Sequence, residues 1–265
     1  MSTPREQLAS KLKELRRRSG LSGDRLASQT GLSQPKVSRI EAARSLPSLD
    51  EVRRWAQATG ATSEELTELA VLAEQVAITA TSWRILHKLG LAERQYQLRD
   101  LELQARRILT FQPVVIPGLL QIAEYARRVM SMGYSGAADP KAVAARMERQ
   151  AVLYDQTKQF EFVITEGALL FQPGSPELTQ QQRDRLLSVA SMPNVTIAVL
   201  PFDRAPVPFL NQFVLWDLPE ETLVTAETFA TELQIREPGD VARYQQVWSL
   251  VTDKAIDLHE WQAAR

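Results

Sequence analysis

Residues 22–41, Ser-Gly-Asp-Arg-Leu-Ala-Ser-Gln-Thr-Gly-Leu-Ser-Gln-Pro-Lys-Val-Ser-Arg-Ile-Glu, allow few backbone arrangements. Leu26 and Ala27 fall on one side of a short helix, and the small Ala27 lets a second helix cross close to the first. Gly31 follows where the chain has to turn sharply, and glycine takes φ > 0 without steric cost. Leu32 then plugs the corner, and Ser33 N-caps a second helix on which Val37 and Ile40 face inward. An ordinary helical hairpin shares this apolar spacing. It does not require a small residue, a glycine, an apolar plug and a cap at these offsets together. The stretch is therefore expected to form a helix-turn-helix, leaving Gln34, Lys36, Ser38 and Arg39 facing outward on its second helix. That face is the one such a motif lays in the major groove of DNA.

Charge supports the same reading. Residues 1–62 hold 12 Lys+Arg against 6 Asp+Glu, whereas the remainder holds 19 against 26. A basic head on an acidic body suits one domain docking on phosphate while the rest is repelled from it. With zero cysteines, disulfides, thiolate chemistry and cysteine-based zinc sites are excluded, and the two histidines, His87 and His259, lack metal-ligand spacing. No metal or cofactor is expected. No apolar run approaches the roughly 20 residues of a membrane span, and the N-terminus lacks the regions of a secretory signal, so a cytoplasmic location is expected.

Around the motif stand a leading helix from Arg5 to Arg18, the tail Ile40-Glu41-Ala42-Ala43-Arg44, Pro47, and two further helices opened by Ser48 and Ser63. Together these resemble the XRE class of regulators, whose relatives include the phage repressors. The resemblance implies a base-reading role for Gln34, Ser38 and Arg39, with Gln34 suited to adenine N6/N7 and Arg39 to guanine O6/N7. It implies contacts to the DNA backbone from Ser22, Arg25, Lys36 and Arg44, and an ion pair between Arg16 and Glu41 that ties the first helix to the recognition helix. Three departures stand out. Gly23 replaces the glutamine that usually opens the first helix of the motif. Pro35 occupies a position that often faces bases and offers no donor. Ala42-Ala43 stands where the family places a glycine after the recognition helix.

The reading divides the chain into a five-helix domain at 1–76, a connector at 77–91 and an α+β domain at 92–260. The connector contains Trp83, Ile85, Leu86 and Leu89 and is too apolar for a free linker. A helix is expected from Leu91 to Leu109, because Leu91, Leu98, Leu101, Ala105 and Ile108 fit a seven-residue repeat with one vacancy at Arg94. That stripe serves either as a face packed on its own domain or as a dimer seam. An extended, proline-bounded segment, 111–121, leads into a helix to about Met132, and another helix covers Pro140–Gln156. Strand patterns then begin, at Phe160–Thr165, Val195–Leu200, Gln212–Leu218, Leu223–Phe229 and Thr231–Ile235, with helices at Thr179–Ser191 and Asp240–Thr252. This gives a helical first half followed by a small mixed sheet.

The sequences IPGLLQ (116–121), YAR (125–127) and PNVTIAVLPF (193–202) resemble an uncharacterised domain commonly joined to XRE domains in high-GC Gram-positive bacteria. The resemblance runs from about residue 92 to 257. It implies a regulator, often paired with a very small partner protein in an arrangement like toxin–antitoxin systems, and carries no known catalytic residues. Phe209, Leu210 and Phe213, on an apolar segment with few charges, are the expected anchors for such a partner. The alternative is a sensor holding a small metabolite, with Pro206-Val-Pro-Phe and the tryptophans lining a pocket. An enzyme is not expected. Glu161, Glu166, Asp217, Glu227 and Glu232 lie on or beside strands, but form no spaced cluster, nucleophile elbow or phosphate loop. Because one such motif reads only a few base pairs, a homodimer on a two-fold operator is expected.

Overall fold

The computed structural model describes residues 3–82, 90–132, 138–206, 211–228 and 231–264. They form two compact units. The first comprises Met1–Ala80 together with Glu220–Leu223 and Leu233–Arg243. Five helices build most of it: α1 (Pro4–Arg18), α2 (Gly23–Thr30), α3 (Gln34–Glu41), α4 (Leu49–Thr59) and α5 (Ser63–Ala77). Their starts follow from local chemistry. Thr3 with Glu6, and Ser48 with Glu51, form reciprocal capping boxes that satisfy the free N–H groups at the openings of α1 and α4. Leu8, Leu12, Leu26, Val37, Ile40, Val52 and Leu69 close one core around the fully buried Trp55, whose indole N–H donates to the Leu12 carbonyl at 3.1 Å. A short strand, β1 (Ile78–Ser82), follows α5. Trp83, Ile85, Leu86, His87 and Leu89 lie outside the described residues.

The second unit comprises Thr81–Pro219, Val224–Glu232 and Tyr244–Arg265. Its elements are α6 (Leu91–Gln104), β2 (Arg107–Gln112), α7 (Ala123–Ser131), α8 (Pro140–Arg149), β3 (Gln159–Thr165), α9 (Glu166–Leu170), α10 (Pro176–Ala190), β4 (Val195–Leu200), β5 (Phe213–Asp217) and β6 (Thr222–Glu227), then β7 (Thr231–Ile235), α11 (Pro238–Lys254), β8 (Ile256–Asp257) and α12 (Leu258–Ala263). Elements β6, β7 and α11 straddle the division. Strands run in the order β6-β5-β2-β3-β4-β8. Strands β2, β3 and β4 are parallel, β5 pairs antiparallel with β2, and β8 pairs antiparallel with β4. The fold is α+β with a mixed sheet.

Two expectations from sequence require correction. The helix from Leu91 stops at Gln104, and Arg107–Gln112 is an interior strand, so strands do not wait until the second half of this domain. In Ile108-Leu109-Thr110-Phe111, β-branched and aromatic residues favour extended backbone; Ile108, Thr110 and Phe111 are buried. The Arg106 N–H also donates to the Asp217 carbonyl, which starts the pairing with β5. The second correction concerns Pro140–Gln156, which is helical only to Arg149 and continues as a 3-10 turn, Gln150–Tyr154.

Candidate nucleic-acid interface

The corner between α2 and α3 follows from single-residue chemistry. Ser22 caps α2 by accepting the Arg25 N–H, and Gly31 closes that helix at φ +68°. The Leu32 N–H returns to the Ala27 carbonyl at 3.0 Å. Ser33 then caps α3 by accepting the Lys36 N–H at 3.3 Å, with Pro35 in the first turn where no intrahelical donor is required. Val37 and Ile40 are buried. Gln34, Pro35 and Ser38 are exposed and Arg39 is half-exposed, so these side chains form the outward surface of α3.

Charged contacts fix the orientation of α3. Arg16 on α1 grips Glu41 with two hydrogen bonds, Nε to Oε1 at 2.5 Å and Nη2 to Oε2 at 2.9 Å, while its Nη1 donates to the Leu21 carbonyl at 2.9 Å. Donating to the Glu41 carboxylate holds the Arg16 guanidinium more firmly protonated than usual, outweighing the opposing effect of burial. Lys36 is turned toward α4, its Nζ 2.5 Å from Glu51 Oε1, so it is held within the fold rather than on the α3 surface. Arg25 and Arg44 are exposed. Arg39 Nε lies 3.3 Å from Glu220 Oε2. The Gln34 amide reaches over Gly23, whose missing side chain leaves that space open.

Helix α3 ends in a Schellman motif. The Arg44 N–H donates to the Arg39 carbonyl at 2.8 Å and the Ala43 N–H to the Ile40 carbonyl at 3.0 Å. This geometry puts Ala43 at φ +56°, the one described non-glycine residue with positive φ. The chain thus keeps the backbone of a glycine-closed helix with alanine in the glycine position.

Among the proposed partner anchors, Phe209 and Leu210 lie outside the described residues. Phe213 is 3% exposed and packs within 5.6 Å of Phe111 and 5.1 Å of Tyr244, measured between ring centres. It belongs to the core because alternation along β5 sends it inward with Leu215, and it is not a surface anchor. The strand-side carboxylates also have assigned partners. Glu161 pairs with Arg107, Glu166 accepts the Phe202 N–H, and Glu232 is buried against Arg94. Among the described residues no helix is long and apolar enough to cross a membrane.

Two short helices joined at a glycine corner, the second braced by Arg16–Glu41 and bearing an exposed polar face, define a helix-turn-helix protein. Residues 7–70 match the model of a helix-turn-helix domain family, and residues 95–260 match a domain of unknown function, DUF5753. The second match covers most of the chain, and the protein belongs to the DUF5753 family. No curated protein matches. Among solved structures, the chain is similar to TrmBL2, described as an archaeal chromatin protein with a novel mode of DNA binding, at 13% identity and a TM-score of 0.37. That alignment covers 78% of this chain and 66% of the other, just under two thirds of its length. Similarity at this level carries no argument about function.

Proposed function

We propose that this protein is a sequence-specific DNA-binding transcriptional regulator that acts as a homodimer on a two-fold operator. The observation that carries the reading is the outward face of α3, where Gln34, Ser38 and Arg39 stand together on a helix braced from behind by Glu41 and Arg16. Amide and guanidinium groups are the side chains that read adenine and guanine edges. Exposed Arg25 and Arg44, with Ser22 at the start of α2, supply the flanking contacts to phosphate. Lys36 contributes to this set only by leaving Glu51. A single such surface reads a few base pairs, and two-fold pairing supplies the rest of the specificity.

In this reading the DUF5753 domain contributes dimerisation and a response to an effector, and no catalytic step. Selection from a random duplex library with the purified full chain tests it. The expected product is an inverted repeat with half-site centres about 34 Å apart, or a multiple of that. A single unrepeated site disproves the two-fold arrangement, and no enriched sequence disproves specific recognition.

A further inference from the structure

The sequence IPGLLQ, 116–121, forms one wall of a cavity of about 210 Å³ in the second unit, bounded also by α6, α8, β2 and β5. A network of buried amides holds this turn in place. The Gln121 side chain donates to the Ile116 carbonyl at 2.7 Å, Gln150 donates to the Gln121 carbonyl at 2.7 Å, and Gln182 donates to the Leu120 carbonyl at 2.8 Å. A loop buried this deeply needs each of these partners for its carbonyls.

Arg146 and Arg149, one turn apart on α8, converge over Gly118. A side chain at Gly118 would place its first carbon 3.2 Å from Arg149 Nη2 and 3.5 Å from Arg146 Nε. Arg149 is only 8% exposed, and its Nε and Nη1 have no hydrogen-bond partner. Its nearest carboxylate, Glu102, lies 3.3 Å from Nη2, and both Glu102 oxygens are likewise without a hydrogen bond. Arg146 hydrogen-bonds to neutral groups, the amide oxygens of Gln121 at 2.7 Å and Gln95 at 3.3 Å, while Glu227 and Glu102 act on it at longer range. The other cation of the lining, Arg94, is taken by Glu232. Glu227 also lines the cavity, its carboxylate accepting the Gln212 amide at 2.7 Å. The rest of the lining is mixed: Ile108, Phe162, Phe213 and Trp216 give it an apolar side, beside polar groups such as Thr110 and Thr225.

Buried, unpaired guanidinium donors are costly, and native structures keep them where something fills the place. We propose that this cavity binds a small monocarboxylate, its carboxylate bridging Arg146 and Arg149 and its apolar body lying against Phe213 and Trp216. Geometry selects the class: the two oxygens of one carboxylate match the adjacent guanidiniums of Arg146 and Arg149, and with Glu102 and Glu227 already in the lining a second anionic charge has no free cation to meet. Planar carboxylates also match the guanidinium fork. Size sets the limit, because the volume falls below the roughly 300–1,000 Å³ typical of drug-sized ligands. The inference rests on the cavity alone and stands or falls independently of DNA binding.

The test is a titration of the full chain with hexanoate and phenylacetate, using hexan-1-ol and inorganic phosphate as comparators at fixed ionic strength. Tryptophan fluorescence, to which Trp216 in the lining responds, and thermal stabilisation report binding. Saturable binding of at least one acid, about tenfold or more tighter than the alcohol and phosphate, is the expected result. Arg146→Gln replaces the guanidinium by a shorter, neutral amide, and should weaken the acid about tenfold while leaving the alcohol unchanged. Gly118→Ala pushes on both guanidiniums and should weaken the acid similarly. No saturable binding by either acid, equal binding of acid and alcohol, or binding led by phosphate overturns the proposal. So does full retention of acid affinity in both variants.

Discussion

Replacing Ala43 by glycine should stabilise the first unit, against the usual cost of placing glycine near a helix. Ala43 sits at φ +56°, in the left-handed region that costs an L-residue about 1–2 kcal/mol. Glycine removes that strain but loses about 0.5–1 kcal/mol more backbone freedom on folding. The balance favours Ala43→Gly by about 0.5–1 kcal/mol, which corresponds to roughly 2–8 °C for a unit of this size. The neighbouring Ala42 has φ −90°, an ordinary conformation, so Ala42→Gly incurs the entropy loss with no strain to relieve. The assay is scanning calorimetry of the full chain, following the transition of the helix-turn-helix unit in both variants. Opposite signs are expected, a rise for Ala43→Gly and a fall of about 0.5–1 kcal/mol for Ala42→Gly. If both variants fall together, Ala43 does not hold the left-handed conformation and the Schellman closure of α3 is wrong.

Three further outcomes follow from the charged groups. Arg16→Ala should destabilise the first unit by about 2 kcal/mol in urea unfolding, because it strands a largely buried Glu41 and frees the Leu21 carbonyl; a loss below about 0.5 kcal/mol would reduce the pair to a surface contact. Glu220→Gln releases Arg39 from an exposed ion pair and should raise DNA affinity by up to about fivefold, read by fluorescence anisotropy; reduced affinity would contradict this role for Arg39. Burial raises the Glu102 carboxyl to about 7, despite the attraction of Arg149, Arg146 and Arg94. A carboxyl raised in the folded chain takes up a proton on folding, so its contribution to stability is lost as pH climbs from about 4.5 to about 7. Glu102→Gln should flatten that dependence and add on the order of 3 kcal/mol at pH 8 relative to pH 5, measured by urea unfolding; an unchanged slope would show that Glu102 does not titrate in this window.

How much of this was legible in the sequence depended on how local the physics was. Ser22, Gly31, Ser33 and Ser48 announce the helix-turn-helix because caps and left-handed turns are decided within four residues. The seven-residue repeat on α6 misled for the opposite reason. Its apolar members Leu98 and Leu101 are only half-buried and Leu103 is exposed, while Arg94, Gln95 and Glu102 turn inward. The vacancy in the repeat, Arg94, is thus one of the buried groups that line the cavity. Nothing within α6 reveals this, since the partners Glu232 and Arg149 lie far along the chain. The same limit hid β2, an interior strand whose neighbours β3 and β5 come from distant sequence. Of the tryptophans among the described residues, Trp216 lines the cavity, and residues 207–209 of the Pro206-Val-Pro-Phe segment lie outside the described residues. Gly118 illustrates a residue visible in sequence whose purpose appears only when two guanidiniums are seen above it.

The central claim, that the α3 surface reads base sequence, is tested most directly by measuring Arg39→Ala and Arg44→Ala against every single-base substitution of the selected operator. Arg39→Ala should lose about 1–3 kcal/mol on the native operator and cease to discriminate at one base pair in each half-site. Arg44→Ala should weaken all sequences alike and make the salt dependence shallower by about one unit. If Arg39→Ala instead weakens every sequence equally, the guanidinium contacts phosphate and the base-reading assignment of α3 is contradicted.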